Sequence, residues 1–575
     1  MARPAVRYTI GIPEPATHLV RVAMEIESPP DPLDVRIPTW TPGSYLIREF
    51  ARHVQAFRAS GPDGTSLPWT KTRKDTWRVQ PGPCPVRIEI EVYANDLSVR
   101  TSHVDVTHAF LNLANVLPYV DGQLDRPAEV SLQPPADWQV HTALAPGAAG
   151  RYIAADYDEL VDSPIHAGPD PAFPFEVEGV THTIATWGRG NLDGARLSGD
   201  LGRIVRTARG LFGSLPYNRY LFIALLTDGA RGGLEHRNST AVMIPRFSFR
   251  PGRTYERALQ LLAHEYFHTW NVKRIHPEAL GPFDYSAENY THLLWAMEGT
   301  TEYYTSLLVR RADLITPERY LEILGEQMSD LAETPGRHVQ SLEEASFDAW
   351  IKYYRPDEHS ENSGVSYYLK GALASLVLDL KMRRRTNGAR SLDDLMRFLW
   401  EQYGKPGVGI PEDGYERAVR DVAGGDWSEF FASAIRGRGE LDYEAPLKAV
   451  GLELEWRSPI DASGAWLGFR TRSEGGRTRV ARVLTNGPAV AAGVSAGDEI
   501  LALDGFRVDE TSLRDRLKDY EPGDTVSLAI FRRDELVQVP ITLAEQPRTR
   551  ATVKKARRAN VGQRTRYQEW LGATW

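Results

Sequence analysis

From residue 8 to about 162 apolar and polar positions alternate with a period of two: Val20, Val22, Met24 and Ile26 interleave with polar residues, and Ile88, Ile90 and Val92 do the same. Alternation sends successive side chains to opposite faces of a strand, so this stretch predicts a β domain. Its turns carry Pro and Gly, as in Ser28-Pro-Pro-Asp-Pro and Gly61-Pro-Asp-Gly64, and the expected form is a sandwich of about 150 residues. Inside it, Thr39-Trp-Thr-Pro-Gly-Ser-Tyr45 reads as a packed aromatic corner. A Pro-rich passage, 163–174, marks the exit. An amphipathic helix near 197–211 follows, then an unbroken apolar run, 220–226, that must be buried on both faces. The stretch 241–245 can pair back as a second strand, which places Glu235 of Gly232-Gly233-Leu234-Glu235-His236 on a turn or sheet edge beside the helix that follows. From 254 to about 443 the period becomes 3.6, with caps such as Thr316-Pro317-Glu318 and Ser391-Leu-Asp-Asp394. Beyond Glu444-Ala-Pro446 it returns to two. These changes divide the chain into an N-terminal β domain (1–174), a second domain with strands to about 250 and helices after (175–447), a third, small domain (448–545) and a basic tail (546–575). The tail is expected to run solvated and then dock through Trp570.

The helical stretch opens on Leu261-Leu-Ala-His264-Glu265-Tyr-Phe-His268. On a helix His264 and His268 lie one turn apart on one face, so their imidazoles can meet at a single metal, with Glu265 beside it. Leu261, Leu262, Ala263 and Phe267 make the helix apolar nearly all round and therefore buried, where two unpartnered histidines and a glutamate would be costly. A zinc ion resolves that cost. Two imidazoles leave room for a third ligand and a water, and the adjacent carboxylate can take that water's proton. The alternative is a chance pair of histidines.

The third ligand follows from what stands downstream. A metzincin would need Gly at 271 and His at 274, where this chain has Asn271 and Arg274. His276, just before Pro277, and His292 fit less well than either of two glutamates. Glu288 sits in polar surroundings that resemble a helix entrance. Glu298 stands among Leu294, Trp295 and Met297; a carboxylate heading into a core needs a strong partner, and zinc would be one. Glu298 is favoured and Glu288 remains the alternative. Glu302, a turn further on, is within reach of a ligand imidazole or is a plain surface residue.

At 575 residues the chain exceeds what one core serves, so three or four domains are expected. A net charge of −8 gives no support to nucleic-acid binding. The single cysteine, Cys84, excludes a disulfide framework and a multi-cysteine metal site. The N-terminal residues carry no apolar leader core, and no stretch approaches 18 uncharged apolar residues, so a soluble cytoplasmic protein with no membrane partner is expected.

Two resemblances sharpen the reading. Trp466-Leu467-Gly468-Phe469, together with Asn486-Gly-Pro-Ala-Val-Ala-Ala-Gly-Val-Ser-Ala-Gly-Asp-Glu-Ile-Leu-Ala-Leu-Asp-Gly505, resembles a PDZ domain over roughly 450–545. That implies a loop at Leu467, Gly468 and Phe469 whose N–H groups receive a protein C-terminus, with an extended peptide added to the neighbouring strand and helix 511–519 as the other wall. Residues 231–240, 264–277, 295–304 and 366–371 resemble the glycyl aminopeptidase family, PDZ-bearing relatives of aminopeptidase N among the gluzincin metallopeptidases. The implied fold is multidomain α+β: an N-terminal β-sandwich, a gluzincin (thermolysin-like) catalytic domain with a mainly helical C-terminal part, and the PDZ domain. Trp295-Ala-Met-Glu298-Gly299 matches the family's Trp-x-x-Glu-Gly third-ligand pattern, at a longer interval from the zinc helix. Gly233-Leu-Glu235-His236 resembles a degenerate form of the Gly-x-Met-Glu-Asn stretch that binds a substrate's free amine; His236 stands in place of Asn, so the role passes to Glu235 and is open for His236. Tyr368-Leu-Lys-Gly371 matches the catalytic tyrosine's context, with Tyr367 as the neighbouring alternative, and on a helix only one of the two can face the metal.

The resemblance implies an aminopeptidase with one zinc ion held by His264, His268 and Glu298. Glu265 would act as general base, Tyr368 would stabilise the oxyanion, and Glu235 would pair with the α-ammonium of peptides bearing N-terminal Gly or Ala. One rival is an endopeptidase whose PDZ domain recruits substrates by their C-termini, with Glu235 merely structural. Another is a catalytically silent peptide-binding scaffold, which would have no need of a ligand set together with a general base.

Overall fold

The computed structural model describes residues 6–80, 82–459 and 464–575. Residues 1–5, part of the stretch read as lacking a leader core, lie outside them. The chain forms two compact units, one of Met1–Thr291, Tyr304–Ile315 and Met396–Tyr415, the other of His292–Tyr303, Thr316–Leu395 and Glu416–Trp575.

In the first unit the alternating stretch forms a seven-stranded sheet and two four-stranded sheets. Strand Leu19–Ile26 pairs antiparallel with Val86–Tyr93, Val20 opposite Val92 and Met24 opposite Ile88, so the apolar members of both strands share the inner face and are buried. The corner at 39–45 is packed as its aromatics suggest: Trp40 is fully buried and its indole N–H donates to the Asp284 carbonyl at 2.8 Å.

A five-stranded mixed sheet follows in the same unit. Its strands are β1 (Ala172–Val177), β2 (Val180–Trp187), β3 (Arg219–Thr227), β4 (Gly232–Glu235) and β5 (Ser239–Pro245), in the order β1-β2-β3-β5-β4. β3 pairs parallel with both β2 and β5, and its unbroken apolar sequence is that of a strand covered on both faces. β4 turns back antiparallel to β5 as the edge strand. Between β2 and β3 runs helix α1 (Gly194–Phe212), opened by the Asp193 carboxylate accepting from the Arg196 N–H and closed by Gly213 in the left-handed region. Helix α2 (Arg253–Phe267) packs on β4 and β5.

The expected run of 3.6-period helix from 254 to 443 is interrupted. After α2, between Pro277 and Leu293, the chain carries only a short 3-10 turn, Glu278–Leu280. Order resumes with a π-helical turn, Trp295–Gly299, leading into α3 (Thr300–Arg311). The second unit contains α4 (Pro317–Ala332), capped by Thr316 as its sequence suggests, and α5 (Leu369–Arg385). It also holds a small β domain with its own apolar core around Val480, Leu503, Leu528 and Ile541. There Phe469–Glu474 is an edge strand paired with Arg477–Val483.

The basic C-terminal stretch exposes most of its arginines and lysines, as expected, but its backbone is ordered where a run of charge suggested none. Arg550–Lys555 is a strand paired antiparallel with Leu452–Arg457, and helix Val561–Leu571 buries Tyr567, Trp570 and Leu571. The Trp570 indole N–H donates to the Tyr303 hydroxyl at 2.8 Å, so docking through this tryptophan is as expected.

Candidate active site

Helix α2 ends at Phe267, but His268 keeps helical dihedrals (φ −59°, ψ −18°), so His264 and His268 retain their one-turn spacing, with ring centroids 4.7 Å apart. Each imidazole is held through Nδ1. His264 Nδ1 is hydrogen-bonded to Thr305 Oγ1 at 2.9 Å, and His268 Nδ1–H donates to the Asn271 carbonyl at 2.6 Å. This is how a protein orients metal-ligating histidines: the second nitrogen is anchored and Nε2 is left as the ligating atom. Neither Thr305 nor Asn271 stands out in the sequence, because a threonine on a helix and a backbone carbonyl carry no motif.

Edge strand β4 runs against α2. A Cβ added at Gly233 would lie on the Glu265 carboxyl group, 2.6 Å from its Cγ and closer still to Cδ and Oε1, so the strand approaches the carboxylate at a distance only glycine permits. Glu235 closes the strand two residues later. Glu235, Glu265 and His268 are all buried and offer ligand-type atoms within 4.8 Å of one another. Two buried carboxylates at that separation repel, an arrangement that a cation beside them would relieve. Glu235 Oε1 is buried with no hydrogen-bond partner, an acceptor awaiting a donor.

Three contacts fix the ends of β4. The Arg100 guanidinium donates to the Gly233 carbonyl at 3.3 Å. Past the strand, His236 Nδ1 lies 3.1 Å from Asp162 Oδ1, and the other carboxylate oxygen accepts from the Arg237 N–H at 2.8 Å. Lys273 Nζ donates to the same carboxylate at 2.7 Å. Burial alone would raise the Asp162 pKa, yet the Lys273 charge and His236 outweigh it and bring it to about 2. His236 is thus tied to a mostly buried carboxylate through one nitrogen, while its Nε2 has no hydrogen-bond partner. The third contact comes from the aromatic corner, where Gly43 abuts Glu235 itself: a Cβ there would stand 2.6 and 2.8 Å from the two carboxylate oxygens.

In the second unit Glu298 is 1% exposed on the π turn. That turn packs backbone against backbone on the start of α5: a Cβ at Gly299 would meet the Tyr367 carbonyl at 2.8 Å, and one at Gly371 would meet Gly299 Cα and the Trp295 carbonyl at 2.9 Å. The glycines of Trp-x-x-Glu-Gly and Tyr-x-Lys-Gly therefore touch each other, which sets Glu298 and Tyr368 as neighbours. Tyr368 stands just ahead of α5 with its ring stacked on Tyr353 and Tyr367 and its hydroxyl 3.4 Å from that of Tyr354. Burial and then the Glu298 carboxylate raise its pKa, whereas Tyr367 is fully buried. Of the lesser candidates, Glu288 is half-buried in irregular chain and His276 Nδ1 lies 2.9 Å from the Pro277 carbonyl. His292 is exposed and stacks on Phe347.

In the small β domain Leu467 is buried and Gly468, at φ +80°, packs on Gly487. Phe469 begins the edge strand, as a peptide-accepting loop requires.

Family models match three segments: the Peptidase M61 N-terminal domain over residues 7–169, the M61 glycyl aminopeptidase over 257–374, and a PDZ domain over 465–543. Among solved structures, the aminopeptidase N family protein from Idiomarina loihiensis is 33% identical, with a TM-score of 0.93, covering 98% of this chain and all of its own. The M1 zinc metallopeptidase from Deinococcus radiodurans is 14% identical, with a TM-score of 0.48, over 76% of this chain and 94% of its own. No curated protein matches. Among the described residues no helix is long and apolar enough to cross a membrane. With the N-terminal, catalytic and PDZ segments each matched in order, and a relative this similar along its entire length, the chain belongs to the M61 glycyl aminopeptidase family.

Proposed function

We propose that this protein is a zinc aminopeptidase that removes the N-terminal residue of peptides, with glycine and alanine preferred. One zinc ion would be held by His264, His268 and Glu298, the donor set of two neutral imidazoles and a carboxylate suited to a catalytic zinc with an open position. The Nδ1 anchoring of both histidines supports that assignment. A zinc ion in such a site supplies Lewis acidity and lowers the pKa of water toward about 7. Glu265 accepts the proton of the attacking water and returns it to the leaving nitrogen. The Tyr368 hydroxyl donates to the carbonyl oxygen as that atom gains charge. Glu235 pairs with the α-ammonium, which places the first peptide bond, and no later one, beside Glu265. His236 and Gly233 complete this end of the site, the first as a side chain tied to Asp162 and the second by leaving room for Glu265. The preference for glycine follows the family's description, and alanine is proposed beside it as the next smallest side chain. A protein C-terminus is the proposed occupant of the groove at Leu467, Gly468 and Phe469, and peptide cleavage does not depend on it.

The observation that carries this reading is the buried, donor-less Glu235 oxygen beside Glu265 and His268. An endopeptidase has no use for it. The test compares alanine p-nitroanilide with its N-acetyl derivative. The free amine should be the far better substrate, and Glu235→Ala should raise its KM and narrow the gap between the two forms. A protein that cleaves both equally well would move the assignment to an endopeptidase.

A further inference from the structure

The corner 39–45 belongs to the N-terminal domain and is far in sequence from every residue assigned to chemistry, yet it touches one of them. The Ser44 N–H donates to the Thr41 carbonyl at 3.2 Å and Gly43 has φ +83°, the geometry of a type II turn in which Pro42 and Gly43 take the central positions. The bare Cα of Gly43 faces the Glu235 carboxylate so closely that a Cβ would stand within 3 Å of both oxygens and of Leu234 Cδ1.

The turn is itself braced. Thr41 Oγ1 and the fully buried Asn112 are hydrogen-bonded, with Asn112 Nδ2 at 3.1 Å, and Asn112 Nδ2 also donates to the Val99 carbonyl at 3.4 Å. The Asn115 amide donates to the Arg100 carbonyl at 3.3 Å. The 41–44 turn and the Arg100 segment, which meet β4 at Glu235 and at Gly233, are thus braced by two asparagines of one short segment. Since no hydrogen bond reaches Glu235 Oε1, a wall rather than a donor sets where that oxygen lies.

We propose that Gly43 is a positioning residue for substrate recognition: the 41–44 turn, through its side-chain-free face, sets the Glu235 carboxylate and so fixes where a peptide's α-ammonium docks. This rests on the proposed aminopeptidase reading of Glu235. Glycine is needed here for two separable reasons, the positive φ and the absent Cβ. Gly64 separates them, because it has the same φ of +83° with nothing within 4 Å of its Cβ position.

Wild type, Gly43→Ala, Gly64→Ala and Thr41→Val are compared on alanine p-nitroanilide and N-acetylalanine p-nitroanilide, with zinc content and thermal melting measured for each. Gly43→Ala should keep zinc and lower kcat/KM for the free amine about a hundredfold, mostly through KM, because displacements near 1 Å cost about that much. Its rate on the acetylated form should not move. Gly64→Ala carries the same backbone strain and should match wild type in both. Thr41→Val, which removes the hydroxyl bonded to Asn112 without adding volume, should shift KM for the free amine in the same direction by a smaller factor. A folded Gly43→Ala with wild-type KM overturns the proposal, as does a Gly64→Ala that loses as much. Should Gly43→Ala fail to fold, Thr41→Val decides, and an unchanged KM overturns the proposal. A wild type that cuts the acetylated form as well as the free one would instead remove Glu235 from recognition, a different failure that the same plates reveal.

Discussion

Gly233→Ala tests the geometry of the site with a single methyl group. Gly233 lies in β4 opposite Val242, in ordinary strand backbone, so alanine brings no conformational penalty there. What it brings is a clash, since its Cβ would stand 2.6 Å from Glu265 Cγ, and nearer to the carboxyl group. Carbon atoms pack at about 3.5–4.0 Å, so either the Glu265 side chain or the strand must yield by about 1 Å. If Glu265 yields, the base leaves its water; if β4 yields, Glu235 moves with it. Misplacements of about this size cost about a hundredfold in rate, so kcat/KM on alanine p-nitroanilide should fall by that factor or more. Gly232→Ala is the matched control on the same strand, where the new Cβ meets only the tip of the Arg100 side chain at 3.3 Å. It should stay within about threefold of wild type. Both variants are assayed after zinc determination by plasma emission spectroscopy and after a melting curve. A folded, zinc-loaded Gly233→Ala with wild-type turnover would show that Glu265 is not placed by this contact and would remove the strand from the mechanism.

Glu265→Gln should keep zinc, because the ligands remain, yet lose at least about a hundredfold in turnover, because an amide cannot take a proton from water; a zinc-loaded variant with substantial activity refutes the assignment of the base. Glu298→Ala should lose zinc and activity together, whereas Glu288→Ala should keep both, and metal content read beside activity distinguishes the two. The reverse pattern would make Glu288 the third ligand.

The sequence shows the elements more clearly than their meetings. The period-two stretches became strands and the apolar run at 220–226 became the covered strand β3, because burial of alternating or continuous apolar faces is a local pattern. The helix of His264 and His268 was legible for the same reason. Three things were not. The π turn carrying Glu298 depends on Gly299 meeting Gly371, a contact between residues remote in sequence that no periodicity encodes. The strand Arg550–Lys555 was hidden by its charges: only Val553 turns fully inward, and a count of arginines and lysines outweighs one valine. The aromatics of the 39–45 corner do signal packing, since Trp40 and Tyr45 are buried, but nothing in those residues announces that the turn between them ends on Glu235.

That Glu235 is met by a glycine has a chemical reason. A carboxylate can be fixed by hydrogen-bond donors or by walls, and the two differ in what they leave for the substrate. Each donor aimed at a carboxylate stabilises its charged form, lowers its pKa and occupies a lone pair. An ammonium partner would find such an acceptor already engaged. Contact with a bare Cα constrains position without either effect. Gly43 meets Glu235 in this way, while Asp162, which exchanges nothing, is held by full donors from Lys273 and the Arg237 N–H. The distinction predicts different sensitivities within one small region. Substituting Gly43 should change kinetics far more than substituting Gly64, although both carry the same backbone strain, because only the face of Gly43 holds a reactive group. Lys273→Met should act on the fold instead, since it strips the mostly buried Asp162 of its lysine partner and leaves it only His236 and the Arg237 N–H, a loss of about 1–3 kcal/mol that melting would register before kinetics did. If instead Lys273→Met leaves the melting temperature unchanged and Gly43→Ala loses no more activity than Gly64→Ala, the division of labour between walls and donors is wrong.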